Sequence, residues 1–557
     1  MKHLFTLAFF TLALFTSCQN IQDTFSGNST DEKDESSKKK KVSKRDYSIT
    51  KAVAFNDIFI DSMDLENFIT KNTIADSVAR RLRSFYNTRN YEFAWFNSDG
   101  LTEQALGFWC LQNYSGDTAH KSPGLQKKMS ALMLDEDLKV SESNKSLINT
   151  ELQLTNALIH YTRTSYEKGY VKRKEMERFI PFKKQRPIYL ADSLLNKKHN
   201  DDKYFSDVNT SYRLLKDQLD KYVTIANKGG WPTIEKDAKL YKNGKSSESI
   251  RDMKKMLFLT GDIPILDTTL NFNDTLKSGI ENFERRYGYT ADGSVTADLL
   301  KEMNVSAIDR VKQLLINMNR MRWMPQQPEG KLILVNIPEF KLHVYEGDNQ
   351  VLEMPVVVGK EGHNTTIFSD KLTNVVFSPY WNVPESIVKK EILPELQKNP
   401  LYLESKNMEV IGGTDELPDI RQKPGGDNSL GLVKFLFPNS FNIYFHDTPA
   451  KSLFSKDVRA YSHGCIRLGD PQRLAEYLLK DNSKWDSQAI YEAMHSGEEK
   501  YVKVSDPVPV FITYYTAWVD ENGILNFRND IYGHDQEIAN KMFDNSAEPS
   551  PQTLGMK

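Results

Sequence analysis

The sequence predicts a multidomain α+β protein, with a helical N-terminal half followed by a mainly β domain. Three observations carry that expectation. A chain of 557 residues exceeds what one hydrophobic core organises, which sets a prior of roughly three or four domains. Apolar residues recur at helical spacing as far as Met324, and beyond Pro325 they fall into short runs and alternations of strand type. A breaker cluster, Gly229-Gly230-Trp231-Pro232, divides the helical half. Hydrophobic content of 39% and charged content of 27% are those of soluble globular protein. A net charge of -2 gives no basis for nucleic acid as a partner.

The chain starts with Met1-Lys2-His3, then runs apolar from Leu4 to Phe15 apart from Thr6 and Thr11. That length suits the core of a signal peptide and is too short for a permanent membrane span. Phe15-Thr16-Ser17-Cys18 resembles the bacterial lipobox, with Phe15 standing where that motif usually has leucine. The resemblance implies a lipoprotein signal peptide over 1–18 and lipidation at Cys18. The protein would then sit in the cell envelope, anchored in a bacterial membrane and facing the periplasm; plain secretion is the alternative. Residues 19–46 are rich in Ser, Asp, Glu and Lys, a composition that buries little and predicts a disordered tether.

Residues 47–228 form a predicted helical scaffold. Ile74–Phe85, Leu147–Tyr166 and Tyr204–Ile225 carry apolar residues at three- and four-residue spacing, with Ile74, Val78, Leu82 and Phe85 on one face. Tyr91 to Phe96 is an aromatic cluster of core type before a turn at Asp99-Gly100, and Cys110 is expected as a packed thiol. Over 248–304 two helices, Ser249–Thr260 and Leu276–Tyr287, precede an Asp292-Gly293 turn and a third helix, Ala297–Met303. With Phe283 and Tyr287-Gly288, this arrangement resembles the small peptidoglycan-binding domain of cell-wall enzymes; a purely structural three-helix unit is the other reading. Residues 305–330 hold a linking helix, begun by Ser306 with Asp309 as a capping pair and stopped at Pro325.

A mainly β domain is expected over 331–512, from strands Leu332–Ile337, Leu342–Tyr345, Val351–Val358, Asn374–Ser378, Gly431–Phe437 and Asn442–Phe445. Between them lies an insertion, about 385–430, with a helical piece at Ile387–Gln397 and a Pro/Gly/Asn-rich piece at 422–428. Insertions of this length are commonly lids or binding loops, and its position just before His446 favours a lid. Residues 513–557 are expected to form a hairpin, around Gly523, and a tail.

The chemistry concentrates in Ser462-His463-Gly464-Cys465-Ile466-Arg467, with His446 upstream. The chain has three cysteines, so no disulfide framework is available, and Cys465 beside two histidines is a candidate nucleophile. A free thiol near pKa ~8.5 is mostly protonated at neutral pH and requires a base or a positive neighbour. His446 and His463 are both candidates; His463 can instead orient the turn, with Ser462. Gly464 permits a tight turn that would aim the Gly464 and Cys465 amides at an oxyanion. Arg467 is suited to a substrate carboxylate or to a structural salt bridge. A zinc site of His446, His463 and Cys465 lacks paired-ligand spacing, so neither metal nor cofactor is expected. A papain-like peptidase would place the cysteine before the histidine.

The His446 to Ser462-His463-Gly464-Cys465-Ile466-Arg467 pattern resembles the signature of the L,D-transpeptidase catalytic domain, the YkuD type. The order of scaffold, wall-binding-like unit and capped catalytic domain is similar to the large YcbB-like branch. Further blocks extend that likeness: Tyr380-Trp381-Asn382-Val383-Pro384, His446-Asp447-Thr448-Pro449, and Pro509 through Val519. The resemblance implies that Cys465 attacks a peptidoglycan tetrapeptide stem, releases D-alanine and passes the acyl group to the amine of a second stem. It implies donor and acceptor stems as partners and inhibition by carbapenem-type β-lactams. Hydrolysis and attachment of proteins to the wall are alternatives that the motif leaves open.

Overall fold

A computed structural model describes residues 41–114, 123–135, 137–166, 180–195, 210–323, 330–439 and 441–544. The expected signal peptide, Cys18, the tether up to residue 40 and the Pro325 stop lie outside the described residues. No helix among them is long and apolar enough to cross a membrane.

The N-terminal region is helical: α1 Ser62–Lys71, α2 Asp76–Thr88, α3 Glu103–Tyr114, α4 Pro123–Leu134, α5 Lys145–Tyr166, α6 Pro187–Leu195 and α7 Thr210–Asn227. Val78, Leu82 and Phe85 share the buried face of α2, while Ile74 lies before the helix and packs from its flank. The Asp99-Gly100 turn joins two short strands, β1 Phe96–Asn97 and β2 Gly100–Leu101. Trp95 beside it is fully buried and donates from Nε1 to Thr155 Oγ1 at 2.9 Å.

Three helices follow, each closed by local chemistry. α8 Glu248–Thr260 is capped by Ser247, and α9 Asp274–Tyr287 by Asn273; each ends on a left-handed glycine, Gly261 and Gly288. Thr296 caps α10 Ala297–Met303. α11 Ala307–Met321 starts at Ser306, whose hydroxyl accepts the Asp309 N–H. It is buried on nearly every side, as a helix inside a core must be.

Nine strands of the second half form the main sheet. β3 Lys331–Asn336, β4 Lys341–Glu346, β5 Asn349–Gly359 and β6 Phe368–Phe377 come first. An insertion follows, with β7 Trp381–Asn382, a π-turn Val388–Ile392, α12 Leu393–Lys398, β8 Met408–Gly413 and β9 Pro418–Gln422. It is more than the expected helix and loop: β7, β9 and β8 pair into their own sheet, and Val383, Val388, Ile392 and Ile420 form a separate small core. The chain re-enters the main sheet through β10 Val433–Leu436, β11 Phe445–His446, β12 Ala460–Ser462 and β13 Ile466–Leu468. Two helices absent from the sequence expectation come next, α13 Pro471–Leu479 and α14 Ser487–His495, before β14 Lys500–Thr513. The strand order is β12-β5-β13-β11-β10-β6-β14-β3-β4, and the added pairing of β4 with β5 closes the sheet on itself.

The C-terminal segment is also more structured than a hairpin and tail. β15 Ala517–Val519 pairs with β16 Leu525–Phe527, and α15 His534–Met542 follows. Both turn back to the helical half. Asn317 on α11 donates to Thr516 Oγ1 at 2.8 Å and accepts the Thr516 N–H at 3.0 Å. Arg320 on α11 is buried between Glu103 on α3 and Asp535 on α15. The scaffold meets the sheet through α3, where the Ser369 hydroxyl donates to the Cys110 carbonyl at 2.9 Å. Burial pushes the Cys110 thiol up to about 12, so it is a packing group.

Candidate active site

The site is set by two neighbouring parallel strands. Phe445 of β11 pairs with Ile466 of β13, and His446 with Arg467. Phe445 and Ile466 are fully buried in the core under the sheet. Successive side chains on a strand point to opposite faces, so Tyr444, His446, Cys465 and Arg467 gather on the other face. The Tyr444 and His446 rings meet at 5.8 Å. Tyr444 was not singled out from sequence; its signal was the two-residue step to His446 within a strand.

The turn before the cysteine is tightly tied. Ser462 is buried, and its hydroxyl donates to the Cys465 carbonyl at 2.5 Å. The Gly464 N–H donates to Ser462 Oγ at 3.2 Å. That corrects the expectation of two amides facing an oxyanion, because the Gly464 amide is already committed to Ser462. Gly464 has φ of 111°, open to glycine and strained for other residues. Its carbonyl accepts the Thr365 hydroxyl at 2.8 Å, which ties the turn to the loop after β5.

His446 is almost wholly buried, with Nδ1 2.5 Å from the Asp447 carbonyl oxygen. A carbonyl only accepts, so Nδ1 carries the proton and Nε2 has its lone pair free. Burial, with the Arg467 charge adding to it, lowers the imidazole to about 3. Asp447 is itself fixed: its Oδ2 accepts the Leu432 N–H at 2.9 Å and its Oδ1 pairs with Lys451. Gly431 makes room for it, since a Cβ there would lie 2.4 Å from the Asp447 carboxyl carbon.

Cys465 Sγ lies 3.6 Å from the Asn442 carbonyl. Burial raises its pKa, and the Tyr444 backbone, the Tyr444 hydroxyl and Arg467 oppose that rise. The resting pair is therefore a neutral thiol and a neutral imidazole, with a hydroxyl and a guanidinium in place for the sulfur anion. The buried Arg467 Nε has no hydrogen-bond partner, and among the described residues no carboxylate pairs with this guanidinium.

His463 goes elsewhere. Its Nε2 is 2.9 Å from Glu391 Oε1 in the π-turn of the insertion, and its ring lies 5.0 Å from that of His363. The two candidate histidines thus separate: His446 shares the face of the thiol, and His463 faces the insertion. Glu391 carried no sequence signal, because the contact joins residues far apart in the chain.

Comparison with known proteins bears on the domain that carries these residues. Residues 330–510 match the model of the YkuD family, described as the L,D-transpeptidase catalytic domain, and residues 80–219 match a scaffold-domain model. A Haemophilus influenzae protein named as an L,D-transpeptidase is 33% identical over 254 residues, 43% of this chain and 50% of that protein. The chain thus spans about half the length of this curated relative. Among solved structures, an L,D-transpeptidase from Stackebrandtia nassauensis is 16% identical, covering 49% of this chain and 93% of that one, with a TM-score of 0.21. L,D-transpeptidase 3 of Mycobacterium tuberculosis with a faropenem-derived adduct is 16% identical, covering 33% and 60%, with a TM-score of 0.18. Residues 330–510 thus match the L,D-transpeptidase catalytic domain of the YkuD family, and the helical residues 80–219 before them match a scaffold domain.

Proposed function

We propose that this protein is a cysteine acyltransferase that cross-links peptidoglycan. Cys465 attacks the carbonyl of the third stem residue in a tetrapeptide donor, forms a thioester and expels D-alanine; the side-chain amine of a second stem then takes the acyl group. The observation that carries this reading is the convergence of Cys465, Tyr444, His446 and Arg467 on one face of the catalytic sheet.

Each group has a role that its surroundings support. His446 Nε2 takes the thiol proton as sulfur attacks and returns it to the leaving amine. Burial keeps it neutral at rest, with Nε2 unprotonated, while the Asp447 carbonyl fixes its tautomer. The Tyr444 hydroxyl and Arg467 stabilise the sulfur anion as it forms. Arg467, with its unsatisfied Nε, offers the donor carboxylate a partner. The Cys465 amide serves the oxyanion, the Gly464 amide being held by Ser462. The insertion over 385–430, which reaches His463 through Glu391, would act as a lid that limits water, which transfer to an amine requires.

The remaining parts fit an envelope enzyme. The 248–304 unit would bind peptidoglycan, and lipidated Cys18 would anchor the chain in a membrane facing the periplasm. Incubating the protein with purified disaccharide-tetrapeptide and resolving the products by mass spectrometry tests the proposal. Dimers joined third residue to third residue, with free D-alanine, are expected. Tripeptide without dimer would make the protein a hydrolase, and unchanged substrate would remove the activity altogether.

A further inference from the structure

Transfer to an amine raises a proton problem that His446 does not solve alone. A side-chain amine arrives at neutral pH as an ammonium ion, and only the free amine attacks. One proton must leave before attack, and a second must pass from nitrogen to sulfur as the C–S bond breaks. His446 suits the second step, since it shares the face of Cys465. It is ill-suited to the first, because it is almost wholly buried and a proton taken there has no open way to solvent.

His463 has what His446 lacks. Its side chain is 34% exposed, so a proton taken there can pass to solvent, and it lies two residues before the nucleophile. Its carboxylate partner comes from the insertion, through the π-turn at Val388–Ile392, and π-turns are frequent at functional positions. Val388 and Ile392 are buried in the core of the insertion, which fixes the turn that presents Glu391. The charged and titratable groups facing His463 are Glu391 from the insertion, and Lys360 and His363 from the loop after β5. Burial lowers the His463 imidazole, with Lys360 and His363 adding to that, and Glu391 opposes the fall, so the carboxylate is what keeps a proton-accepting role open to His463.

We propose that His463 accepts the ammonium proton of the incoming acceptor, and that Glu391 is the positioning residue that makes this depend on the insertion lying over the site. The proposal rests on the acyl-transfer reading of Cys465. In balance, the ammonium gives one proton to His463, which releases it to solvent. The free amine then forms the C–N bond; its second proton passes through His446 to sulfur as the C–S bond breaks, and the amide and the Cys465 thiol result. Water needs no such preliminary step, so the pair favours amine over water.

The test uses the full chain with disaccharide-tetrapeptide as donor and acceptor, from about pH 6 to about pH 9. Dimer and hydrolysed tripeptide are quantified by mass spectrometry per acyl-enzyme formed. In Glu391→Gln the dimer-to-tripeptide ratio should fall at least about tenfold. The acid limb of transfer should move to lower pH, because the imidazole loses the carboxylate that supports its charge. Glu391→Asp should recover part of the ratio, and Glu395→Gln, which alters an exposed pair with Lys398, should match wild type. A ratio unchanged in Glu391→Gln, or a fall with the pH profile unmoved, overturns the proposal. Absence of any acyl-enzyme in wild type would overturn the reading of Cys465 itself.

Discussion

Replacing Tyr444 by phenylalanine isolates one hydroxyl at the nucleophile. The hydroxyl lies against the Cys465 thiol and lowers its pKa, opposing the rise that burial imposes. Its own ionisation is suppressed, first by burial and then by the nearby sulfur, so it remains a donor at every working pH. A hydrogen bond to a charged partner is worth about 1.5–3 kcal/mol, and each 1.36 kcal/mol is about tenfold in rate. Loss of the bond should slow acylation by about tenfold to about a hundredfold. The thiol pKa should rise by about one to about two units. Phenylalanine keeps the ring packed against His446 and leaves no orphaned polar atom, so the fold should be retained. The assay is the rate of acylation by a carbapenem, read by stopped-flow, beside the pH dependence of iodoacetamide alkylation. Wild-type rates with an unmoved alkylation profile would refute the role of the hydroxyl.

Two further predictions concern stability. A free imidazole titrates near ~6.5, whereas His446 titrates at about 3. Between those values the unfolded chain binds a proton that the folded chain does not, so this contribution is complete above about pH 6.5 and is lost as pH falls, at about 1.4 kcal/mol per unit. Urea unfolding of the catalytic domain at several pH values should show that slope, and His446→Gln should lose about one proton's worth of it; an equal slope in the variant contradicts the assignment. Glu103→Gln leaves buried Arg320 with Asp535 as its remaining carboxylate and should cost about 3 kcal/mol. Denaturant titration of wild type and variant checks this, and a cost below about 1 kcal/mol would show that the Glu103–Arg320 pair does not hold α3 to α11.

What the sequence disclosed follows the range of the interactions. Local chemistry was legible: the Ser306 cap, the helix over Ala297–Met303 and the change from helical to strand spacing all rest on neighbours within a turn or two. α13 rests on equally local chemistry, with Asp470 as its cap, Pro471 in its first turn and Leu474, Ala475, Leu478 and Leu479 buried. The thiol motif was legible because its residues are contiguous. The place of Tyr444 was not, since it depends on the parallel register of β11 and β13, two strands of two and three residues. Glu391 was beyond reach for the same reason, as its contact with His463 exists only once the insertion folds. The separation of His446 from His463 rests on the partners the fold gives each, Tyr444 for one and Glu391 for the other, a tertiary property with no trace in either residue's neighbours in sequence.

The measurement closest to the central claim is the intact mass of the protein after brief reaction with disaccharide-tetrapeptide. The account predicts an increase equal to the donor less one D-alanine, mapped by peptide analysis to Cys465 and absent in Cys465→Ala. An adduct that persists in Cys465→Ala, or that maps to another residue, would contradict it.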